Sequence, residues 1–251
     1  MTAPALSPTT GEPVAVVARR NRLGLIFLVV ADFSGTMALI ISYCYLWSLN
    51  VNNGWAPNQQ TFNGNNGLVS RSPLPWAADW PFWTILLLTV LATLILWWGV
   101  RGIFAGHRGR LVAASVISSL IVIVAFVLQI WQMSTFPFGP SNGAYASCVF
   151  LITGATAVHL ALVGFLVLGI ANRTRAGVVS VENPYQSRLV AWWMTWVCAS
   201  ILLGCLCTTF LKTSSNVDPP NFGSFTQFNP NAATPSPSAS ASTSVSPSAS
   251  Q

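Results

Sequence analysis

Five apolar runs, residues 23–48, 82–100, 111–131, 144–170 and 189–211, constrain this chain more than any other feature. Each is about as long as a helix needs to cross the hydrocarbon of a bilayer. None shows the two-residue alternation of a barrel strand, and all are too long for strands of a soluble sheet. No Pro interrupts them, and Pro81 stands just ahead of the second, where its missing N–H costs nothing. The expected fold is all-α: a polytopic five-helix membrane bundle over residues 23–211. Composition excludes the main rival. Only 6% of the 251 residues are charged, against about 25% for a domain whose surface must face water. The net charge of +6 does not indicate nucleic-acid binding, because the basic residues stand in short groups between apolar runs.

Those groups set a direction. Arg19, Arg20 and Arg22 precede the first run, Arg101, Arg108 and Arg110 follow the second, and Arg173, Arg175 and Arg188 follow the fourth. Arg71 and Lys212 stand alone on the other side. The positive-inside rule then makes the amino terminus cytoplasmic and the carboxyl terminus external. Tryptophan and tyrosine near the run ends read as interfacial anchors: Tyr43, Tyr45 and Trp47, Trp80 and Trp83, Trp97 and Trp98, Trp131, and Trp192, Trp193 and Trp196. The Arg19-Arg20 pair ahead of an apolar run resembles an export signal. The run is too long and contains Asp32, so an uncleaved anchor is expected. Residues 1–22 form the cytoplasmic segment, and the 49–81 connection is an Asn/Gly/Pro-rich loop. Residues 212–251 form an external Ser/Ala/Pro-rich tail, expected to be disordered.

Catalytic signatures are sparse. Cys44, Cys148, Cys198, Cys205 and Cys207 all fall within the apolar runs, where a thiol serves as a small packing residue. Cys205-x-Cys207 has no His or further Cys at zinc-site spacing. Haem ligation would need converging His side chains, and the chain has two: His107 in a loop and His159 in the fourth run. No phosphate-cradling loop or nucleophile elbow occurs. The reading is a chain with no catalytic residue, no metal site and no cofactor of its own.

Two ionisable side chains sit deep in the apolar runs. Counting from the arginine-rich side, Asp32 lies about 13–14 Å in and His159 about 16–17 Å in. An acid at such depth costs about 2.5–3.5 kcal/mol by insertion scales, so the bundle interior or a partner protein must shelter it. The pair is either a proton-handling or partner-contacting element, or two polar groups cross-bracing helices. Ser34, Gly35 and Thr36 on one run, and Gly154, Thr156 and Ala157 on the other, are small enough for close helix approach.

These residues carry a resemblance. Residues 141–159, from Ser141-Asn142-Gly143 through Tyr145, Ser147 and Thr153-Gly154 to His159, resemble a run in subunit III of the haem–copper oxidases. That run leads from a loop Asp-Gly through Tyr, Gly-Ser and Thr-Gly to two His three apart. Asn142 stands at the loop acid and His159 at the second His, while Thr156 replaces the first. Residues 27–33 are similar to the apolar run into the family's intramembrane Glu, with Asp32 on the Glu position. Leu96, Trp97, Trp98 and Arg101 resemble the end of the next family helix. The final family helix opens Tyr-Trp-His-Phe-Val-Asp. Here Ala191-Trp192-Trp193-Met194-Thr195-Trp196 keeps a Trp and loses the His and the Asp. The resemblance covers residues 20–211, in the five-helix bacterial form.

The resemblance implies a non-catalytic subunit of a proton-pumping terminal oxidase in a bacterial cytoplasmic membrane. Such a subunit packs on catalytic subunit I, stabilises it and supports proton uptake. It implies haem and copper in partner subunits and phospholipid bound in a cleft; the scattered basic residues, independently, leave no nucleic-acid partner. Two rivals stand beside it: a subunit III-like accessory protein of a nitric oxide reductase, and a stand-alone transporter. Transporter sites usually lie at broken helices or internal repeats, and neither is evident here.

Overall fold

The computed structural model describes residues 11–50, 55–62 and 69–213. The tail expected beyond residue 213 and the first ten residues of the 1–22 segment lie outside the described residues. Among the described residues five helices are long and apolar enough to cross a membrane: α1 (Val14–Leu49), α2 (Trp80–Phe104), α3 (Arg108–Ser134), α4 (Ala144–Arg175) and α5 (Tyr185–Phe210). Most overrun the expected spans. Arg19, Arg20 and Arg22 continue α1 backward, and Arg173 and Arg175 lengthen α4, because arginine is a good helix former whose head stays in the polar interface. α5 starts four residues earlier than expected, directly after Pro184.

One element departs from an all-helical reading. The connection between α1 and α2 carries an antiparallel hairpin of β1 (Asn58–Phe62) and β2 (Val69–Pro73), with Asn58 opposite Pro73 and Phe62 opposite Val69.

Helices α2, α3, α4 and α5 pack as a ring of neighbours, and α1 lies against α4 and α5. The tightest seams form where a side chain is missing. A Cβ on Gly99 would collide with the Cβ of Ala114, and one on Gly204 would lie 2.9 Å from Ile152. Gly102 leaves a channel for the Arg110 side chain, whose guanidinium sits 3.9 Å over the Trp98 ring. Ser118 donates to the carbonyl of Ala92 at 2.9 Å and Ser119 to that of Gly164 at 3.4 Å. Interhelical hydrogen bonds of this kind join α3 to both neighbours. The small residues singled out around Asp32 behave otherwise. A Cβ added at Gly35 or Gly154 would meet no atom within 4 Å, so both face open space rather than a seam. Thr36 does make a contact between helices, with its hydroxyl 3.2 Å from that of Ser200.

Consecutive helices run in opposite senses, so the bundle has two distinct ends. At the arginine end, Arg108 donates to the carbonyl of Thr174 at 2.7 Å and Asn21 to the Tyr185 hydroxyl at 3.4 Å. Gly106, at φ +86°, turns the chain from α2 into α3 there, a left-handed step that glycine takes without a Cβ clash. At the opposite, hairpin end, Tyr43 is fully buried against Trp55, with ring centroids 5.0 Å apart, and Tyr145 packs on Trp76 at 4.7 Å. Tyr43 is therefore a core residue and not the interfacial anchor expected of it. Its position less than two turns before the helix end puts it under the folded-back 55–57 segment.

Candidate functional site

Helix α1 meets the bundle along one stripe. Leu25, Val29, Asp32, Thr36, Ile40, Tyr43 and Trp47 recur at spacings of three and four and are at least partly buried, while most of the remaining helix surface is exposed. That periodicity brings every member onto one face. Asp32 lies near the middle of the stripe, and its apolar neighbours dock it against α4 and α5.

His159, near the middle of α4, places Nε2 at 3.0 Å from both carboxylate oxygens of Asp32. Trp196 of α5 donates its indole N–H to Oδ2 at 2.6 Å. Three helices thus converge on one carboxylate. A carboxylate only accepts, so the imidazole edge turned to it carries the proton. The side chains of His159 and Asp32 are 10% and 26% exposed. Phe33 packs on Trp196 at 5.8 Å and Trp193 on His159 at 6.3 Å, covering the cluster with rings. Hydrogen bonds to a charged group are worth about 1.5–3 kcal/mol each. Two of them offset the insertion cost of the acid. The arrangement gathers donors from two helices on a carboxylate carried by a third.

Run-end position marks Trp193 and Trp196 as interfacial anchors, and the structure corrects both. Trp196 reaches Asp32, and Trp193 is buried within the bundle. Trp192 is half exposed and stacks edge-on against Trp97 at 5.7 Å. Replacing Trp196 with phenylalanine keeps the contact with Phe33 and removes the donor. We expect a loss of about 1–2 kcal/mol in unfolding free energy, measured by denaturant titration in mixed micelles. An unchanged midpoint would mean that the indole N–H does not support the carboxylate.

The other sequence-selected residues have local roles. Asn142 accepts from the Gly139 N–H at 2.6 Å, and Ser147 donates to the Pro140 carbonyl at 2.6 Å, so both shape the turn into α4. Tyr145 belongs to the aromatic cluster at the hairpin end. Thr153 donates to the carbonyl of Val149 within α4 at 2.7 Å and, with Gln129 and Thr156, lines a small cavity inside the bundle. Gly154 faces open space. Among the cysteines, Cys198 lies 3.0 Å from the Thr93 hydroxyl, and Cys205 donates to the Phe82 carbonyl at 3.3 Å. His107 precedes α3 in the turn at the arginine end.

Sequence reasoning missed a second polar cluster at the hairpin end. Lys212 pairs with Asp79 at 2.5 Å and donates to the Ala77 carbonyl at 2.9 Å. Trp55 donates to the Lys212 carbonyl at 2.6 Å, Trp47 to that of Thr213 at 2.7 Å and Tyr43 to that of Leu211 at 3.2 Å. The segment leaving α5 is thereby fastened to α1 and to the strap before α2. Lys212→Met should lower stability by about 1 kcal/mol, the size of a partly exposed ion pair with one extra hydrogen bond. Raised protease sensitivity near residue 212 would accompany it. No protein-family model and no curated protein matches this chain.

Proposed function

We propose that this chain is a non-catalytic subunit of a haem–copper terminal oxidase, of the subunit III type, in a bacterial cytoplasmic membrane. The supporting observation is the 3.0 Å contact between Asp32 and His159. These residues lie in the two separate stretches that most resemble the family, and each stands on a family position. The final helix departs from the family: Trp193 and Trp196 stand where it has His and Asp, and these two border the Asp32–His159 pair. The arginines gathered at one end favour a cytoplasmic placement of that end by the positive-inside rule. With α1 held to α4 and α5 along a single stripe, much of its apolar surface is left for lipid or for another subunit.

In this reading haem and copper reside in partner subunits, and the chain's work is mechanical and electrostatic. It braces catalytic subunit I and sustains proton uptake by that subunit. The test is affinity purification of the full chain from its native membranes in mild detergent, with an absorption spectrum of the product. Co-purification with a haem- and copper-bearing catalytic subunit is the expected result. A haem-bearing partner without the copper-site features would move the chain to a nitric oxide reductase. A haem-free monomer would overturn the proposal.

A further inference from the structure

The surroundings of Asp32 and His159 are asymmetric along the helix axes. Toward the arginine end, the next turns of their stripes are Val29 and Leu25 on α1, partly buried against the core, and Val163 and Val167 on α4, within it. Toward the hairpin end, the next turn of each helix carries a hydroxyl. Thr36 of α1 meets Ser200 of α5 at 3.2 Å, and Thr156 lies one turn from His159 on α4. Thr156 also lines, with Gln129 and Thr153 among apolar neighbours, a cavity of about 10 Å³ between α2, α3, α4 and α5. That is about the volume one water needs, and the amide and two hydroxyls supply the polar partners it requires. Gln129 donates to the Oε1 of Gln132 at 3.2 Å. Gln132 in turn lines a cleft of about 290 Å³ at the hairpin end, with Trp76, Trp80, Trp131 and Thr135.

Both glutamines are almost wholly buried, at 1% and 2% exposure, and Nε2 of Gln132 has no partner among the described residues. An unpaired buried amide is costly. Two glutamines one turn apart in an apolar helix are therefore expensive as packing and well suited to holding water. Asp32 is the only Asp, Glu, Lys or Arg within the five apolar runs.

We infer that the Asp32–His159 pair exchanges protons with water at the hairpin end, along a hydrated file held by Thr156, Thr153, Gln129 and Gln132. The step is simple in balance. Hydronium at the cleft gives up one proton and becomes water, waters in the file pass it on, and an O–H bond forms on the Asp32 carboxylate. Release is the reverse. The glutamines orient water and are not themselves protonated. The groups facing Asp32 are His159 from α4 and the neutral indole of Trp196 from α5. Cys198 on α5 is engaged with Thr93, and Tyr145 and Cys148 lie three or more turns further along α4. The inference does not rest on the oxidase reading, and its test needs no partner subunit.

The full chain is reconstituted in vesicles of known orientation, and pH is jumped on one side at a time. The reporter is the part of the tryptophan emission that disappears in Trp196→Phe, since that indole bonds to Asp32. The signal should follow pH on the hairpin side, and Gln129→Leu should slow it at least tenfold. Should Gln129→Leu not fold, Thr156→Val, which keeps shape and loses the hydroxyl, should slow it in the same sense. A response to the arginine side alone, a response to neither side, or unchanged kinetics in a folded file variant would overturn the inference.

Discussion

Asp32→Ala should destabilise the folded chain by about 2–3 kcal/mol, and replacing His159 as well should bring the loss down to about 1 kcal/mol, the cost of the one donor still stranded. Removing the carboxylate strands two donors, Nε2 of His159 and the indole N–H of Trp196, which reach it at 3.0 and 2.6 Å. A stranded buried donor costs about 1–3 kcal/mol. Asp32 is a quarter exposed, which lets water or a headgroup compensate in part and holds the total below the sum of two full penalties. Asp32→Asn keeps one acceptor and should lose about half as much. Removing the ring alone, as His159→Leu, leaves an acid whose main partner is gone and should be as damaging as Asp32→Ala. The double variant Asp32→Leu/His159→Leu replaces the pair with apolar volume, which interiors tolerate well. A double-mutant cycle of Asp32→Leu and His159→Leu by denaturant titration in mixed micelles should therefore give a coupling of about 4 kcal/mol, because each single change loses about 2–3 kcal/mol and the double, which strands only the Trp196 N–H, about 1. Additive losses would mean that the two side chains are neighbours without being partners.

How far this site can be read from the sequence follows from how depth is encoded. Asp32 and His159 can be placed at similar depth because helix rise is uniform and both are conspicuous in apolar surroundings. Trp196 is equally deep, 11 residues beyond the first residue of α5, yet tryptophan's preference for membrane interfaces makes it read as an anchor. The same rise arithmetic applied to the indole moves it inward. Tyr43 misleads for the opposite reason. Its depth is right, but burial there depends on the 55–57 segment folding back over it, a tertiary event that local pattern does not record. The hairpin is hidden because Asn58–Phe62 and Val69–Pro73 lack the alternation that marks a half-buried strand. The glutamines of α3, by contrast, are visible at the end of the third run and just past it. Paired amides one turn apart in such a place are a polar signal that charge and motif searches pass over.

Small residues are the least legible of all, because composition tells where a helix can be approached and not whether anything approaches it. Gly99 and Gly35 make the contrast testable. At Gly99 the seam between α2 and α3 leaves no space: a Cβ would collide with that of Ala114 and lie 3.4 Å from the Leu111 backbone. At Gly35 nothing stands within 4 Å. Gly99→Leu should push α2 and α3 apart, straining the Ser118–Ala92 hydrogen bond about two turns along the same seam. Overpacking of this kind costs about 1–3 kcal/mol where neighbours can yield. Here the neighbour is a Cβ fixed to a helix backbone, so a loss at or above the top of that range, about 3 kcal/mol, is expected. That is enough to deplete folded protein in the membrane. Gly35→Leu adds a side chain to an open helix face and should leave stability within about 0.5 kcal/mol. Folded yield by size-exclusion chromatography, followed by thermal unfolding of whatever is recovered, separates the two. Equal tolerance at both positions would show that the α2–α3 seam is looser than the Gly99–Ala114 approach requires. A severe loss at Gly35 would instead mean that the open face of α1 is covered in the cell, which is the outcome a partner subunit seated on that helix would produce.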